Sequence, residues 1–305
     1  MDNQPNQLNQ PNHYDNIFVD IDELFESNVK PKKKKYSSKI ARLIVRYYSA
    51  SLLKLGLYEV LVEVGLIKRW FVDFKEYWFE CLEGRPLYLH DFYYLLGSYR
   101  SKFANVETPD HANNQEFLES WQKNETVYML FGAVRRFSRT PLISRQFEKY
   151  IQNGDSVLEY GCGLAPISTS LLKVGKKRNL DLTIADIRQL NFHYAKYNIG
   201  SLVKSFEIEP NTVENLPQKY NVIIMITVME HLPNPLETIK NLTKFLEPGG
   251  MLFFDYHADD ADGQDTIEAV EQKKEVLDFL SDNFSIIKGS LDYENTMDIT
   301  IARKN

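Results

Sequence analysis

Residues 156–166 read Ser-Val-Leu-Glu-Tyr-Gly-Cys-Gly-Leu-Ala-Pro, and they restrict the fold more than any other stretch of the chain. Val157 and Leu158 make the apolar run of a buried strand that ends on an acid, Glu159. The chain then turns through Gly161 and Gly163 into a helical pattern carrying Ile167, Leu171 and Leu172. Neither glycine has a Cβ, so such a strand–turn–helix brings backbone close to a ligand.

The rest of the C-terminal half repeats the alternation. Strands are expected at residues 180–184, 203–208, 221–226, 251–256, 284–287 and 297–302, with helices over residues 236–246 and 267–280 between the later ones. Pro248-Gly249-Gly250 is read as a helix stop before the fifth strand. Strands and helices alternating at this spacing predict an α/β, Rossmann-like, doubly wound seven-stranded sheet. Ligands of such sheets lie at the carboxyl ends of the strands. Gly161, Gly163, Asp186 and the turn at Thr212, Val213 and Glu214 all fall at those ends.

Two kinds of nucleoside cofactor use this layout. A dinucleotide needs a small residue three positions after the second glycine, where this chain has Pro166. Glu159, two residues before Gly161, would repel a pyrophosphate and suits a ligand carrying an ammonium and a sulfonium. Asp186 is placed to accept both hydroxyls of a ribose.

Together, Glu159-x-Gly161-x-Gly163, Asp186, Met229-Glu230-His231-Leu232-Pro233 and Pro248-Gly249-Gly250 resemble a class I S-adenosylmethionine-dependent methyltransferase over about residues 142–303. The Thr212–Glu214 turn and the Glu230–Pro235 segment are most similar to the ubiquinone-biosynthesis type and its small-molecule relatives. The resemblance implies S-adenosyl-L-methionine as cofactor, with Glu159, Tyr160, Gly161, Cys162 and Gly163 around its methionine portion and Asp186 on the ribose. It further implies Ile187, Thr212, Val213 and Glu214 about the adenine, and Ile226 and Thr227 beside the sulfur. Ala165 stands where the family often has a third glycine, and Asn221 where an aspartate often begins the fourth strand.

Methyl transfer asks a protein to align a nucleophile, exclude water and take up a proton. His231, after the fourth strand, and His257, after the fifth, are the candidate bases, since histidine titrates near neutral pH. Asp255, Asp259, Asp260 and Asp262 could hold a divalent metal for a catechol-like substrate or could attract an amine; a solvated loop is preferred to a metal site.

The N-terminal half is different in kind. Residues 1–36 form an Asn/Gln/Pro-rich tail, and Lys32 to Lys35, set among Asp20, Asp22, Glu23 and Glu26, are read as a solvated linker in preference to a targeting or polyanion-binding patch. Residues 37–115 carry amphipathic helices: Ile40, Leu43, Ile44, Tyr47 and Tyr48, then Trp70, Phe74, Tyr77, Trp78 and Cys81, fall at helical spacing. This segment is expected to be a helical cover, mostly core, with a Tyr or Trp reaching the substrate, ahead of a cofactor domain over residues 116–305.

Net charge is −6 with two cysteines, which argues against a nucleic-acid binder and against a disulfide framework. No run approaches the roughly 20 apolar residues of a bilayer span, and no signal-peptide pattern opens the sequence, so a cytoplasmic protein without membrane contact is expected. The expected function is methyl transfer to an oxygen or nitrogen of a small molecule or short peptide, with homodimerisation through the N-terminal helices. Protein or RNA methyl transfer and a non-catalytic cofactor-binding partner are the alternatives.

Overall fold

A computed structural model describes residues 39–82, 86–103, 121, 126–174, 178–209, 215–257 and 265–305. They divide into two compact units, one drawn from Met1–Val106 and Asn124–Arg135, the other from Glu107–Lys123 and Arg136–Asn305.

The first unit is helical: α1 (Lys39–Lys54), α2 (Tyr58–Glu63), α3 (Arg69–Cys81), α4 (Leu89–Phe103) and most of α5 (Val127–Phe137). Of the α3 stripe predicted from spacing, Phe74, Tyr77 and Trp78 are fully buried, while Trp70 and Cys81 are half-buried; Phe71, outside that stripe, is fully buried as well. Phe74 meets Phe92 of α4 at 5.3 Å and Phe131 of α5 at 5.4 Å, and Phe92 meets Phe131 at 4.8 Å. Edge-to-face and tilted pairs of this kind add to the burial of large rings, which is why residues 124–135 group with these helices although the sequence reading set them in the cofactor domain.

The second unit contains β1 (Ser156–Tyr160), α6 (Pro166–Val174), β2 (Asp181–Asp186), α7 (Leu190–Ile199), β3 (Lys204–Glu207), β4 (Tyr220–Met225), α8 (Pro235–Phe245), β5 (Leu246–Tyr256), α9 (Ile267–Glu271), α10 (Lys273–Asn283), β6 (Phe284–Lys288) and β7 (Met297–Lys304). The seven strands lie in the order β3-β2-β1-β4-β5-β7-β6, with β7 antiparallel to both neighbours and the rest parallel. The order reverses between β1 and β4, which puts a crevice beside the ends of those two strands.

The central strands are apolar throughout because both faces are covered. Val222 and Ile224 of β4 pack on one face with Val157, Ile167 and Phe253. Ile223 and Met225 pack on the other with Leu158, Leu252, Phe254 and Leu277. At the amino ends, the Asn221 side chain accepts hydrogen bonds from the Ser156 N–H and hydroxyl, both at 2.9 Å, and clasps β4 to β1.

Two boundaries differ from the sequence reading. Pro248-Gly249-Gly250 lies inside β5, whose pairing starts at Leu246 opposite Tyr220 and shifts register before Val222. Gly249 takes φ 71°, and a Cβ on Gly250 would come within 3.0 Å of the Asn221 carbonyl; the glycines permit an irregular strand rather than end a helix. The helix expected over 267–280 is two, divided at Gln272, whose side chain accepts the Leu236 N–H at 3.3 Å.

Candidate active site

β1 delivers Glu159 to the carboxyl end of the sheet, buried. Its Oε1 accepts the Ile167 N–H at 3.2 Å and its Oε2 the Ser168 N–H at 2.7 Å. Those are donors of the first turn of α6, which have no acceptor within the helix and carry the positive end of its dipole. Glu159 thus caps α6 and braces the strand–turn–helix.

Asp186 ends β2, equally buried. Its Oδ2 accepts the Gly163 N–H at 2.6 Å; its Oδ1 accepts the Ile187 N–H at 2.7 Å and the Gln189 Nε2 at 2.8 Å. A carboxylate has about four lone-pair directions, so these three bonds leave one, on Oδ2. Burial pushes Glu159 up to about 7 and Asp186 up to about 6, against the pull of the hydrogen bonds; the Asp186 charge adds to the rise at Glu159.

The two glycines do different work. Both are left-handed, Gly161 at φ 65° and Gly163 at φ 52°. A Cβ on Gly161 would sit 2.6 Å from Val228, whereas one on Gly163 would meet nothing within 4 Å. Gly161 is therefore glycine to let the loop after β4 pack down, and Gly163 is the open position. Ala165 also adopts φ 50°, which accounts for the glycine expected there.

A second set of side chains lies at the ends of β4 and β5. Thr227 takes φ 57°, a strained conformation for a β-branched residue. Its N–H donates to Asp255 Oδ1 at 2.6 Å, and Asp255 Oδ2 lies 3.0 Å from His257 Nε2. Asp255 is buried and raised by that burial; His257 is half-exposed. His231 sits 3.8 Å from Asp265 and 3.9 Å from Glu230, with the Trp121 ring 5.3 Å from its own. Glu230 is buried, its Oε2 has no hydrogen-bond partner among the described residues, and burial raises it to about 7.

Of the predicted residues, Glu159, Gly161, Gly163 and Asp186 share one turn, while Thr227 and His257 share Asp255. Val228 joins the two sets by lying on Gly161. Tyr160 is packed in the sheet core, and Cys162 turns its thiol in among Ala165, Ile184 and Phe192. Burial, then the Asp186 and Glu159 charges, push that thiol well above its ordinary range. Ile187 and Ile226 are partly buried against the two faces of the sheet. Thr212, Val213, Glu214, Asp259, Asp260 and Asp262 lie outside the described residues, as do the tail and the lysine run. Among the described residues no His/Cys/Asp/Glu group could hold a metal ion. The sequence does not single out Gln189, Val228 or Asp265, and it shows Glu230 only as a member of the Met229–Pro233 motif. Asp255 is visible in the sequence as one acid of a cluster; the i, i+2 spacing of Asp255 and His257 is the available signal for that pair.

Comparison with known proteins fits this geometry. Residues 133–283 match the family described as "Methyltransferase domain". A ubiquinone biosynthesis O-methyltransferase from Proteus mirabilis is 29% identical over 102 residues, 33% of this chain and 41% of that protein. One from Coxiella burnetii is 30% identical over 158 residues, 49% of this chain and 62% of that protein; the chain thus spans less than two thirds of either relative. Among solved structures, a SAM dependent methyltransferase from Aquifex aeolicus aligns at 17% identity and a TM-score of 0.42, over 56% of this chain and 98% of that one. The glycine turn locked to the acid of β2, on this strand order and under this family match, makes the α/β unit a class I S-adenosylmethionine-dependent methyltransferase domain.

Proposed function

We propose that the chain transfers a methyl group from S-adenosyl-L-methionine to an oxygen or nitrogen of a small molecule or short peptide. The observation that carries this reading is the hydrogen-bonded Asp255–His257 pair at the end of β5, two strands from the Gly163–Asp186 turn. A binding turn and a base stand along the same carboxyl edge of the sheet, with β4 between β1 and β5.

The residues fit the cofactor on three counts. Gly163 leaves open space where backbone must approach, Asp186 keeps one lone pair for a ribose hydroxyl, and two buried acids offset a cation. When bound, the cofactor supplies a methyl carbon activated by its sulfonium. Asp186 holds the ribose by one hydroxyl; a bidentate grip requires the Gln189 or Gly163 bond to yield. Glu159 acts through the turn that it braces. Ile187, Thr212, Val213 and Glu214 are proposed around the adenine, and Ile226 and Thr227 along the methionyl side.

His257 removes the acceptor's proton. With Nε2 donating to Asp255, Nδ1 is the basic nitrogen, and the buried carboxylate stabilises the imidazolium that forms. His231 and the Trp121 ring orient the acceptor. The test is transfer of label from methyl-labelled cofactor into metabolite and short-peptide pools by the full chain. Labelled product that disappears with His257→Ala, at unchanged cofactor affinity by calorimetry, supports the reading. Tight cofactor binding with no labelled product from any pool contradicts it and favours a non-catalytic cofactor binder.

A further inference from the structure

Helix α1 presents its apolar residues outward. Ile44 is 65% exposed and Tyr47 71%, and Leu43, Tyr48 and Leu53 are exposed as well. The exposure runs on past the helix through Leu55 and Leu57 into Val60 of α2. Contiguous exposed apolar surface of this kind marks a docking face rather than ordinary scatter.

The charge around that face identifies its occupant. From Glu26 to Glu59 the sequence has no acidic residue between, yet it holds nine basic ones: Lys30, Lys32 to Lys35, Lys39, Arg42, Arg46 and Lys54. Removing those nine from the chain's 36 leaves 27 basic residues against 42 acidic, a net of −15 for everything else. In sequence, the positive charge is thus concentrated within α1 and just ahead of it. By helical spacing, Lys39, Arg42 and Arg46 fall on one stripe (i, i+3, i+7), and Ile40, Ile44, Tyr47 and Tyr48 on another (i, i+4, i+7, i+8).

We propose that α1 docks this protein on the surface of a bilayer containing anionic phospholipid. Such a surface uses both stripes at once: headgroups take the cations, and the boundary below them takes the isoleucine, leucine and tyrosine side chains. A nucleic acid would meet the charge and leave the apolar stripe in water. A second copy would set the four cations of α1, Lys39, Arg42, Arg46 and Lys54, against their own kind, which like-charge repulsion opposes. The lysine run, read as a linker because of its acidic neighbours upstream, lies outside the described residues and adjoins the helix in sequence. Among the described residues no helix is long and apolar enough to cross a membrane; the contact proposed is interfacial.

The experiment is co-sedimentation of the full chain with vesicles of phosphatidylcholine alone and with a quarter phosphatidylglycerol. Pelleting is expected with the anionic vesicles only, and weakened at about 0.5 M salt, where charges are screened within a few ångströms. The double variant Ile44→Glu/Tyr47→Glu should lose about tenfold or more of that binding, with its unfolding temperature kept as evidence that the helical unit is intact. A second variant, Arg42→Gln/Arg46→Gln, should weaken binding while keeping the apolar stripe. A wild-type chain that ignores anionic vesicles overturns the proposal, as does binding that Ile44→Glu/Tyr47→Glu leaves unchanged. A dimer broken by those substitutions, without lipid binding, assigns the face to a second copy and overturns it too.

Discussion

One carboxylate serves two elements: Asp255 accepts the Thr227 N–H at 2.6 Å on Oδ1 and meets His257 Nε2 at 3.0 Å on Oδ2. The backbone after β4 and the histidine after β5 are therefore fixed by the same buried group. If His257 is the base, His257→Ala lowers turnover by about 10²–10³, the contribution of a positioned proton acceptor, and leaves cofactor affinity as it was. Asp255→Asn lowers turnover as well and changes the pH profile. His231→Ala costs less than about tenfold. Steady-state kinetics with calorimetry decide this, and equal losses at His231 and His257 would contradict the assignment.

Thr227 stores strain at the centre of the site. A left-handed residue with a Cβ costs about 1–2 kcal/mol, and glycine gives back roughly 0.5–1 kcal/mol in chain entropy. Thr227 is exposed, so little packing is lost on its removal. Thr227→Gly is expected to raise stability by about 0.5–1 kcal/mol in denaturant melts while slowing methyl transfer. A variant that is less stable than wild type would show that the conformation is unstrained.

The two turn glycines separate folding from binding. Gly161→Ala places a methyl into Val228, 2.6 Å away, and is expected to cost more than about 2 kcal/mol of stability; Val228→Ala should recover part of it in a double-mutant cycle. Gly163→Ala meets no atom within 4 Å. It should cost only the backbone strain of about 1–2 kcal/mol and yet weaken cofactor binding severely. The reverse pattern, with Gly161→Ala the milder for stability, would place the open face on the wrong glycine.

Most of the α/β unit was legible in the sequence because its strands are buried on both faces and therefore read as unbroken apolar runs, as at Val222 to Met225. The acid at each strand end was legible for the same reason: Glu159 and Asp186 stop those runs. What was not legible depends on where bonds go. The sequence shows that Glu159 precedes two glycines, but not that both of its oxygens turn to α6. It shows two glycines, but not that Val228 fills the space over one of them. Trp121 reaches His231 from more than a hundred residues away in the chain, a contact that periodicity cannot carry. In the helical unit the aromatic stripe was legible as an amphipathic face, and its partners on α4 and α5 were not.

The two buried acids give a pH dependence with a definite sign. Folded Asp186 and Glu159 titrate near about 6 and about 7, above the carboxylate range of an unfolded chain. The ligand-free folded chain therefore holds protons that the unfolded chain has released, so their contribution to stability is full below about pH 4 and is lost as pH rises through about 6 and then about 7. Cofactor binding runs the other way, because a cation favours the ionised acids: affinity should rise across the same window, with proton release. Thermal melts without ligand, and calorimetry in buffers of different ionisation heat, check both signs. Affinity that falls between about pH 6 and 7 would contradict the charge pairing.

The most direct measurement is the cofactor dissociation constant of Asp186→Ala and Asp186→Asn beside wild type, by calorimetry, with unfolding temperature recorded for each. Asp186 joins the β2 end, the Gly163 N–H and the proposed ribose contact, so the account predicts a loss of more than about tenfold for alanine, the effect of removing a charged hydrogen-bond partner, and a smaller loss for asparagine, in protein that remains folded. Folded variants that bind S-adenosyl-L-methionine as tightly as wild type would contradict it.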